Sequence, residues 1–341
     1  MTEESPAAWG FGGLTLQNRV VMGPMAGITD LPFRLLAREM GVGLVYTEMI
    51  SAMALVYENA RTRAMLRLDE AEGPVAVQLF GREPEVMARA AALVLAAPEV
   101  APGGRRRLAA LDLNAGCPTP KIVRNGEGSA LMRDPARLGE VVQALVAVAG
   151  PAGVPVTVKL RAGWDEAHRN AVECARVAEA AGAAMIAVHG RTREQFYRGK
   201  ADWGVVRAVR EAVAVPVTGN GDVTSAADAV ALREQTGCAA VMIARGALGN
   251  PWLLRQAVAA LAGEPIPPSP PVRERLDFLL RHLALQVAYL GEEHGVREMR
   301  KHVAWYLKGL PGATAVKLAA QAATTHEEVR ALLERYRDQV G

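Results

Sequence analysis

From Asn18 to about Gly263 the chain repeats one pattern of hydrophobic and polar positions. A short apolar run rich in β-branched residues ends in polar residues or glycine, and a segment with helical periodicity follows. Near-continuous apolar runs that alternate with helices are typical of parallel strands buried on both faces. The runs are RVVMGPMAG, LVYTEMI, PVAVQLFG, ALDLNAGCP, PVTVKLRAG, AMIAVHGRT, PVTGNGDV and AAVMIARGAL.

The number and length of these units predict an α/β fold, a closed (β/α)₈ TIM barrel over residues 1–262. A doubly wound open sheet is the alternative. Such a sheet usually carries GxGxxG after its first strand, whereas this chain has GPMAG there.

A proline-rich stretch, AGEPIPPSPPV, follows the last strand–helix unit. It cannot be helical, so we interpret residues 263–272 as a linker. Residues 273–341 carry helical periodicity without a strand pattern and predict a small all-α bundle. Its helical stretches are RERLDFLLRHLALQVAYLGEEHG, VREMRKHVAWYLKGL, ATAVKLAAQAATT and HEEVRALLERYRDQV.

Composition narrows the class of protein. Half of the residues (50%) are apolar, and the net charge of +3 is too small to indicate nucleic-acid binding by itself. The cysteines, Cys117, Cys174 and Cys238, are too few and too far apart for a disulfide framework or a zinc knuckle. Without a signal peptide or an apolar span, we expect a cytoplasmic monomer that needs no membrane and no metal. The triplet Arg105–Arg107 precedes the fourth strand, so we expect a surface loop away from the chemistry.

Polar residues or glycine end every predicted strand. The loops that follow the strands of a TIM barrel form the face on which catalysis occurs. Polar side chains in apolar strands cost free energy unless they are paired, so a shared site is expected at this face. The residues at the strand ends are the apolar Pro24, Met25, Ala26 and Gly27 after the first strand, followed by Glu48, Gln78, Asn114, Cys117, Lys159, Arg161, His189, Arg191, Asn220, Gly221, Asp222, Arg245 and Gly246 after the others.

Three features suggest the chemistry. The glycine-rich TGNGDV and IARGAL segments occupy the position where such barrels commonly bind phosphate. Lys159 in a barrel mouth needs an anion or an electron-rich ring, or else it is a Schiff-base nucleophile. Cys117 lies between Gly116 and Pro118. A free thiol has a pKa of about 8.5, so it can donate a proton at neutral pH, although a nucleophilic role stays open.

Nine segments resemble the tRNA-dihydrouridine synthases, most of all the bacterial B-type subgroup. The likeness runs from about residue 14 into the helical tail, and LNAGCP with HGRTR is its most specific part. The segments are GPMAGITDLPFR, YTEMI, VQLFG, LNAGCPTPKIVRNGEGSAL, VTVKLRAGW, HGRTREQFYRGKADW, GNGDV, ARGALGNPW and MRKHVAWYLKG.

The resemblance implies a flavin enzyme in which NADPH reduces bound FMN. Hydride would then pass to C6 of a uracil in tRNA while Cys117 protonates C5 and Asn114 and Arg191 orient the base. The implied FMN ligands are Pro24, Met25 and Ala26 at the isoalloxazine, Gln78, Lys159 and His189 at its polar edge, and Asn220, Gly221, Asp222, Ala244 and Arg245 at the phosphate. Ala244 departs from the family's frequent glycine, and alanine should serve there if its φ is negative.

An enzyme reaches a base inside folded tRNA only by extruding that base. We therefore expect the helical tail to bind the tRNA while the base is extruded. The candidate phosphate contacts are Arg297, Arg300, Lys301, Lys308 and Lys317 in the tail, with Lys121 and Arg124 beside Cys117. Three other hypotheses stay open. They are a flavin reductase of a free pyrimidine or other small molecule, an aldolase or epimerase that uses Lys159 covalently, and a non-catalytic RNA-binding protein with an inactive barrel.

Overall fold

The computed structural model describes residues 8–101 and 108–340, so the Arg105–Arg107 triplet lies outside the described residues. The strands, numbered along the chain, are β1 (Trp9–Phe11), β2 (Leu14–Leu16), β3 (Val20–Met22), β4 (Leu44–Ser51), β5 (Val75–Phe80), β6 (Leu108–Ala115), β7 (Val156–Arg161), β8 (Met185–His189), β9 (Val217–Asn220) and β10 (Ala240–Ile243).

Strands β3 to β10 form a closed, parallel barrel in chain order. The barrel closes where β10 pairs with β3, with Val241 opposite Val20. The predicted (β/α)₈ barrel is therefore confirmed, and the open doubly wound sheet is excluded. All eight apolar runs became barrel strands because side chains on both faces of such a sheet are buried.

Helices surround the barrel and continue beyond it. They are α1 (Leu31–Glu39), α2 (Ala52–Val56), α3 (Ala60–Ala64), α4 (Pro84–Ala96), α5 (Pro120–Val123), α6 (Pro135–Ala149), α7 (Ala171–Ala180), α8 (Trp203–Ala212), α9 (Ala226–Thr236), α10 (Trp252–Ala262), α11 (Val272–Leu290), α12 (Glu292–Tyr306), α13 (Ala313–Ala322) and α14 (His326–Val340).

A small antiparallel hairpin, β1–β2, precedes the barrel and was not predicted. Trp9 and Phe11 are buried with Tyr46 and Met185 in one apolar cluster. The Trp9 indole N–H donates to the carbonyl oxygen of Asn18 at 2.8 Å. Each hairpin strand has only three residues. That length is too short for an alternating pattern to identify it in the sequence.

The helical tail packs on the barrel through α11 and α12. The first predicted tail segment runs too far, because α11 ends at Leu290 and Gly291, with φ 79°, breaks the helix before Glu292. Phe33 of α1 lies against His282 and His302, whose rings are 4.5 Å apart. The tail and the barrel therefore share a buried interface.

The histidine pair makes this interface sensitive to pH. Neither ring nitrogen of His282 has a hydrogen-bond partner among the described residues, and burial lowers its pKa to about 3. Burial, and then His282, hold the pKa of His302 well below its usual value. Since both pKa values are lower in the folded state than unfolded, the folded state binds fewer protons, and stability falls as pH falls.

We expect the free energy of unfolding to decrease below about pH 6.5, by up to about 1.4 kcal/mol per pH unit for each histidine. Chemical denaturation between pH 7.5 and 4.5 measures this loss. The double variant His282→Leu with His302→Leu should flatten the profile, while His294→Gln, on an exposed position of α12, should keep it. If the double variant lost stability with falling pH as the wild type does, the two histidines would not be the cause of that loss.

Candidate active site

A cavity of about 410 Å³ opens at the carboxyl ends of the barrel strands. It brings together most of the polar residues that the sequence singles out, although they come from all parts of the barrel. The predicted site residues that line it are Pro24, Met25, Ala26, Gln78, Asn114, Cys117, Lys159, His189, Asn220, Gly221, Ala244 and Arg245. Cys117 and Lys159 thus lie in the same cavity, as one reaction site would require.

The backbone around Cys117 is held from both sides. The Asn114 carbonyl oxygen Oδ1 accepts from the N–H groups of Gly116 at 3.1 Å and Cys117 at 2.8 Å. Ser129 donates its backbone N–H and its hydroxyl to the Cys117 carbonyl oxygen at 3.0 and 2.8 Å. The thiol itself contacts the Thr119 hydroxyl at 3.3 Å. The turn therefore presents the sulfur to the cavity from a fixed backbone.

A buried row of polar side chains supports this turn. Asp112 accepts from Gln78 Nε2 at 2.7 Å and from the Thr157 hydroxyl at 2.5 Å. Gln78 Oε1 in turn accepts from Asn114 Nδ2 at 2.8 Å. These bonds set the direction of both amides, so Asn114 is committed to Gln78 and to the Cys117 turn. Burial raises the pKa of Asp112 to about 7.

Lys159 extends from β7 to the cavity floor. Its ammonium donates to Asn220 Oδ1 at 3.2 Å, and Asn220 Nδ2 donates to the Met242 carbonyl oxygen at 2.8 Å. An ammonium has three donors, and one of them is used among the described residues. Burial, followed by the charge of Arg161, lowers the pKa of Lys159 to about 8. An anionic or electron-rich ligand would offset this cost of burying the charge.

Arg191 lies behind the cavity wall, with 2% of its surface exposed, and does not line the cavity. Its Nη2 donates to both carboxylate oxygens of Asp222, at 2.7 and 2.8 Å, and to the Gly199 carbonyl oxygen at 2.7 Å. This placement differs from the implied contact with a uracil. The guanidinium instead holds Asp222, whose φ is 55°, in its turn.

The cavity is strongly positive. Lys159, Arg161 and Arg245 line it, and Asp222 is already paired with Arg191. Burial first, and then these cations, hold the pKa of His189 well below its usual value, so its imidazole is neutral at pH 7. Such a site favours an anionic ligand.

Two residues without a predicted role, Arg161 and Tyr197, also belong to the site. Arg161 Nε donates to the Gly116 carbonyl oxygen at 2.7 Å and so ties β7 to the Cys117 turn. Tyr197 lines the cavity, with the Arg245 guanidinium carbon 4.2 Å from its ring centroid. The signal was present in the GRTREQFYRG segment, where two aromatic residues, Phe196 and Tyr197, stand among three arginines.

Two glycine turns leave backbone bare at the cavity. A Cβ atom at Gly221 would come within 2.6 Å of the Ala201 side chain, and one at Gly246 within 2.2 Å of the Val223 carbonyl oxygen. Ala244 has φ −126°, which fulfils the condition set for alanine at that position. Both turns therefore exclude larger residues for reasons of space.

The basic residues of the tail fall into two groups. Lys301 donates to the Gly27 carbonyl oxygen at 2.5 Å and contacts Glu298, while Arg300 donates to the Ala323 carbonyl oxygen at 3.0 Å. Each of these two side chains therefore has a partner within the protein, although Arg300 Nε is buried without one among the described residues. The remaining candidates are exposed or half-buried, namely Arg297, Lys308, Lys317, Lys121 and Arg124.

Lys301 connects the tail to the cavity loop. The Gly27 N–H donates to Glu48 of β4 while the Gly27 carbonyl accepts from Lys301, and Met25 and Ala26 of the same loop line the cavity. We expect Lys301→Met to increase amide hydrogen exchange in a peptide spanning residues 23–30 about tenfold. Arg297→Met is the matched control on the same helix. Equal exchange in both variants would show that Lys301 does not stabilise the loop.

A closed parallel barrel with a charged cavity at the carboxyl ends of its strands defines a (β/α)₈-barrel enzyme. The family model for dihydrouridine synthase (Dus) matches residues 20–340, nearly all of this barrel and its tail. The chain therefore belongs to the dihydrouridine synthase family and is an oxidoreductase.

Curated relatives named tRNA-dihydrouridine synthases match this chain along most of their length. The chain is 42% identical over 303 residues to tRNA-dihydrouridine synthase B of Pseudomonas aeruginosa, covering 89% of this chain and 87% of that protein. It is 44% identical over 295 residues to a probable tRNA-dihydrouridine synthase of Rhodobacter capsulatus, covering 86% of this chain and 87% of that protein. A probable tRNA-dihydrouridine synthase of Mycobacterium tuberculosis is 38% identical over 332 residues, covering 95% and 83%.

Solved structures share the fold at low identity. An old yellow enzyme homologue from Zymomonas mobilis matches with TM-score 0.51 and 14% identity, covering 76% of this chain and 93% of that chain. Histamine dehydrogenase from Rhizobium sp. 4-9 matches with TM-score 0.57 and 12% identity, covering 98% and 65%. In the two ranges that the structure describes, no helix combines the length and apolar character needed to span a bilayer.

Proposed function

We propose that this protein reduces uridines in tRNA to 5,6-dihydrouridine, with FMN bound in the cavity and NADPH as reductant. The observation that carries the proposal is the presence of the Cys117 thiol and the Lys159 ammonium in one cavity. Family membership and relatives named tRNA-dihydrouridine synthases support the reaction and its substrate. They favour it over a Schiff-base aldolase.

The cavity has the properties that FMN requires. The bare backbone of the turns at Gly221 and Gly246, with the guanidinium of Arg245, suits a phosphate group. Unused donors of Lys159 suit the electronegative edge of a flavin ring. Pro24, Met25 and Ala26 supply an apolar wall on which a planar ring can lie. Asp222 would contribute through its backbone, since its carboxylate is held by Arg191.

When bound and reduced by NADPH, FMN supplies the hydride for C6 of the uracil. The chain supplies the proton. We assign the general acid to Cys117, whose sulfur then carries a negative charge until solvent returns a proton. Asn114 and Ser129 fix the backbone of the acid, and Lys159 offsets negative charge on the flavin side of the site.

The tRNA has to be held while one base is extruded. Arg297, Lys308 and Lys317 in the tail, with Lys121 and Arg124 beside the Cys117 turn, are the proposed phosphate contacts. Phosphate contacts of this kind make affinity fall as salt rises. Lys301 and Arg300 are assigned a structural role instead, because their side chains already have partners within the protein.

The proposal is tested by incubating the purified protein with an unmodified tRNA transcript and NADPH. We expect a yellow protein, and mass spectrometry of the digested tRNA should detect a uridine that gained two hydrogens. The same NADPH with free uridine serves as the control for a small-molecule reductase. A yellow protein that reduces free uridine and leaves tRNA unchanged would favour that alternative, and a colourless protein would contradict both.

A further inference from the structure

Two arginines share one indole ring on the rim of the barrel mouth. The guanidinium carbon of Arg133 lies 4.8 Å from the Trp164 ring centroid, and that of Arg193 lies 4.7 Å from it. The three residues come from different parts of the chain: Trp164 follows β7, Arg193 follows β8, and Arg133 ends the segment that begins at Gly128 after the Cys117 turn. We call Arg133, Trp164 and Arg193 the rim stack.

No ion pair neutralises the rim stack within the described residues, although the exposed Glu194 follows Arg193 directly. Within the parts of the chain that the structure describes, neither Arg133 nor Arg193 forms an ion pair, and Arg193 Nε is buried without a hydrogen-bond partner. The acids that follow Trp164 have other partners, since Asp165 contacts His168 and Glu166 contacts Arg169. An unpaired guanidinium whose position is fixed by stacking is suited to a phosphate oxygen.

The location of the rim stack at the barrel mouth indicates which anionic ligand can reach it. In the barrel order, β7 lies diametrically opposite β3, whose following loop carries Gly27 and is contacted by Lys301 of the tail. The stack and the tail therefore flank the cavity on opposite sides. A ligand large enough to reach both while one of its bases enters the cavity is a folded RNA.

We propose that the rim stack is a phosphate-binding site for the RNA backbone, which supports the tRNA on the side of the mouth opposite the tail. This inference rests on the proposed function and extends it to a second RNA contact surface. Stacking on Trp164 fixes the spacing of the two cations, so each guanidinium binds one phosphate without first losing much side-chain freedom.

The test measures binding of an unmodified tRNA transcript to the flavin-loaded protein at several salt concentrations. Arg133→Gln and Arg193→Gln should each weaken binding about threefold to tenfold. Each should also make the slope of log affinity against log salt shallower by roughly 0.7 to 0.9, the value for one lost phosphate contact. The matched control is Arg169→Gln in the same loop, because Arg169 is already paired with Glu166 and Asp202.

The outcomes distinguish failure of the proposed function from failure of the rim-stack proposal. If the wild-type protein binds no tRNA, the proposed function fails. If the wild type binds and both glutamine variants keep its salt slope, the rim stack is not an RNA site, even where the variants melt earlier because the loops have loosened. Shallower slopes together with unchanged NADPH oxidation in the absence of tRNA would support the inference, and an equally shallow slope for Arg169→Gln would overturn it.

Discussion

Cys117→Ala is expected to lower the rate of dihydrouridine formation in tRNA by about 10²-fold to 10⁴-fold, the usual contribution of a general acid. Reduction of the bound flavin by NADPH should continue at close to the wild-type rate. We expect this because different elements carry the proposed acid and the proposed flavin contacts. The sulfur reaches the cavity from the turn after β6, whereas Lys159 and the glycine turns come from β7, β9 and β10.

Two measurements check this expectation. Stopped-flow absorbance follows flavin reduction without tRNA, and mass spectrometry of digested tRNA follows product. Cys174→Ala is the matched control, because Cys174 is fully buried in α7. Product at the wild-type rate in Cys117→Ala would exclude the thiol as the acid. Loss of flavin reduction as well would mean that the cysteine maintains the cofactor site rather than protonating the base.

The fold was predictable because one physical pattern repeats. Every barrel strand is buried on both faces, so each appears in the sequence as an apolar run that ends in polar residues. The proline-rich stretch lies between two helices, since α10 ends at Ala262 and α11 begins at Val272, and its role as a linker stays a prediction. The β1–β2 hairpin carries no such periodic signal, because its side chains are buried by contact with barrel residues such as Tyr46 and Met185.

The identity of many site residues was predictable, but their partners were not. The sequence identifies Gln78 and Asn114 as polar strand ends, whereas the hydrogen bonds that join them to Asp112 depend on the register of neighbouring strands. The partner of Lys301 was even harder to predict from the sequence. It lies 274 residues from Gly27 in sequence, and its local pattern is that of any charged helix face.

Arg191 shows how pairing within the protein bears on a predicted role. Arg191 was expected at the substrate, but a buried guanidinium is stable only with its donors satisfied, and Asp222 provides that. Arg161 and Arg245 then remain as the arginines that line the cavity. Spacing along the chain gives the residue types at a barrel mouth, whereas their partners follow only from the three-dimensional structure. Arg161 donates to the carbonyl oxygens of Gly116, Thr192 and Phe196, and Arg245 lies 3.9 Å from Asp222.

Lys159→Gln is expected to weaken FMN retention at least tenfold and to slow reduction of the remaining flavin by NADPH about 10²-fold. The ammonium lines the cavity, and Asn220 holds it at 3.2 Å in a position where burial makes its charge costly without an anion. Removing one preorganised charge from such a site commonly costs a factor of 10² to 10³. Titration with FMN and stopped-flow absorbance measure the two effects.

The pH profile distinguishes a role for the charge from a role for the shape of Lys159. With a pKa of about 8 in the folded protein, the ammonium is charged below pH 8 and loses its proton as pH rises through that value. The flavin reduction rate of the wild type should therefore fall on the alkaline side, and bound anionic flavin should shift the fall to higher pH because it favours the charged form. Lys159→Gln should lack this fall, whereas Lys159→Arg should stay active to higher pH than the wild type. A fall of equal size in all three proteins would assign the titration to another group and leave Lys159 without an electrostatic role.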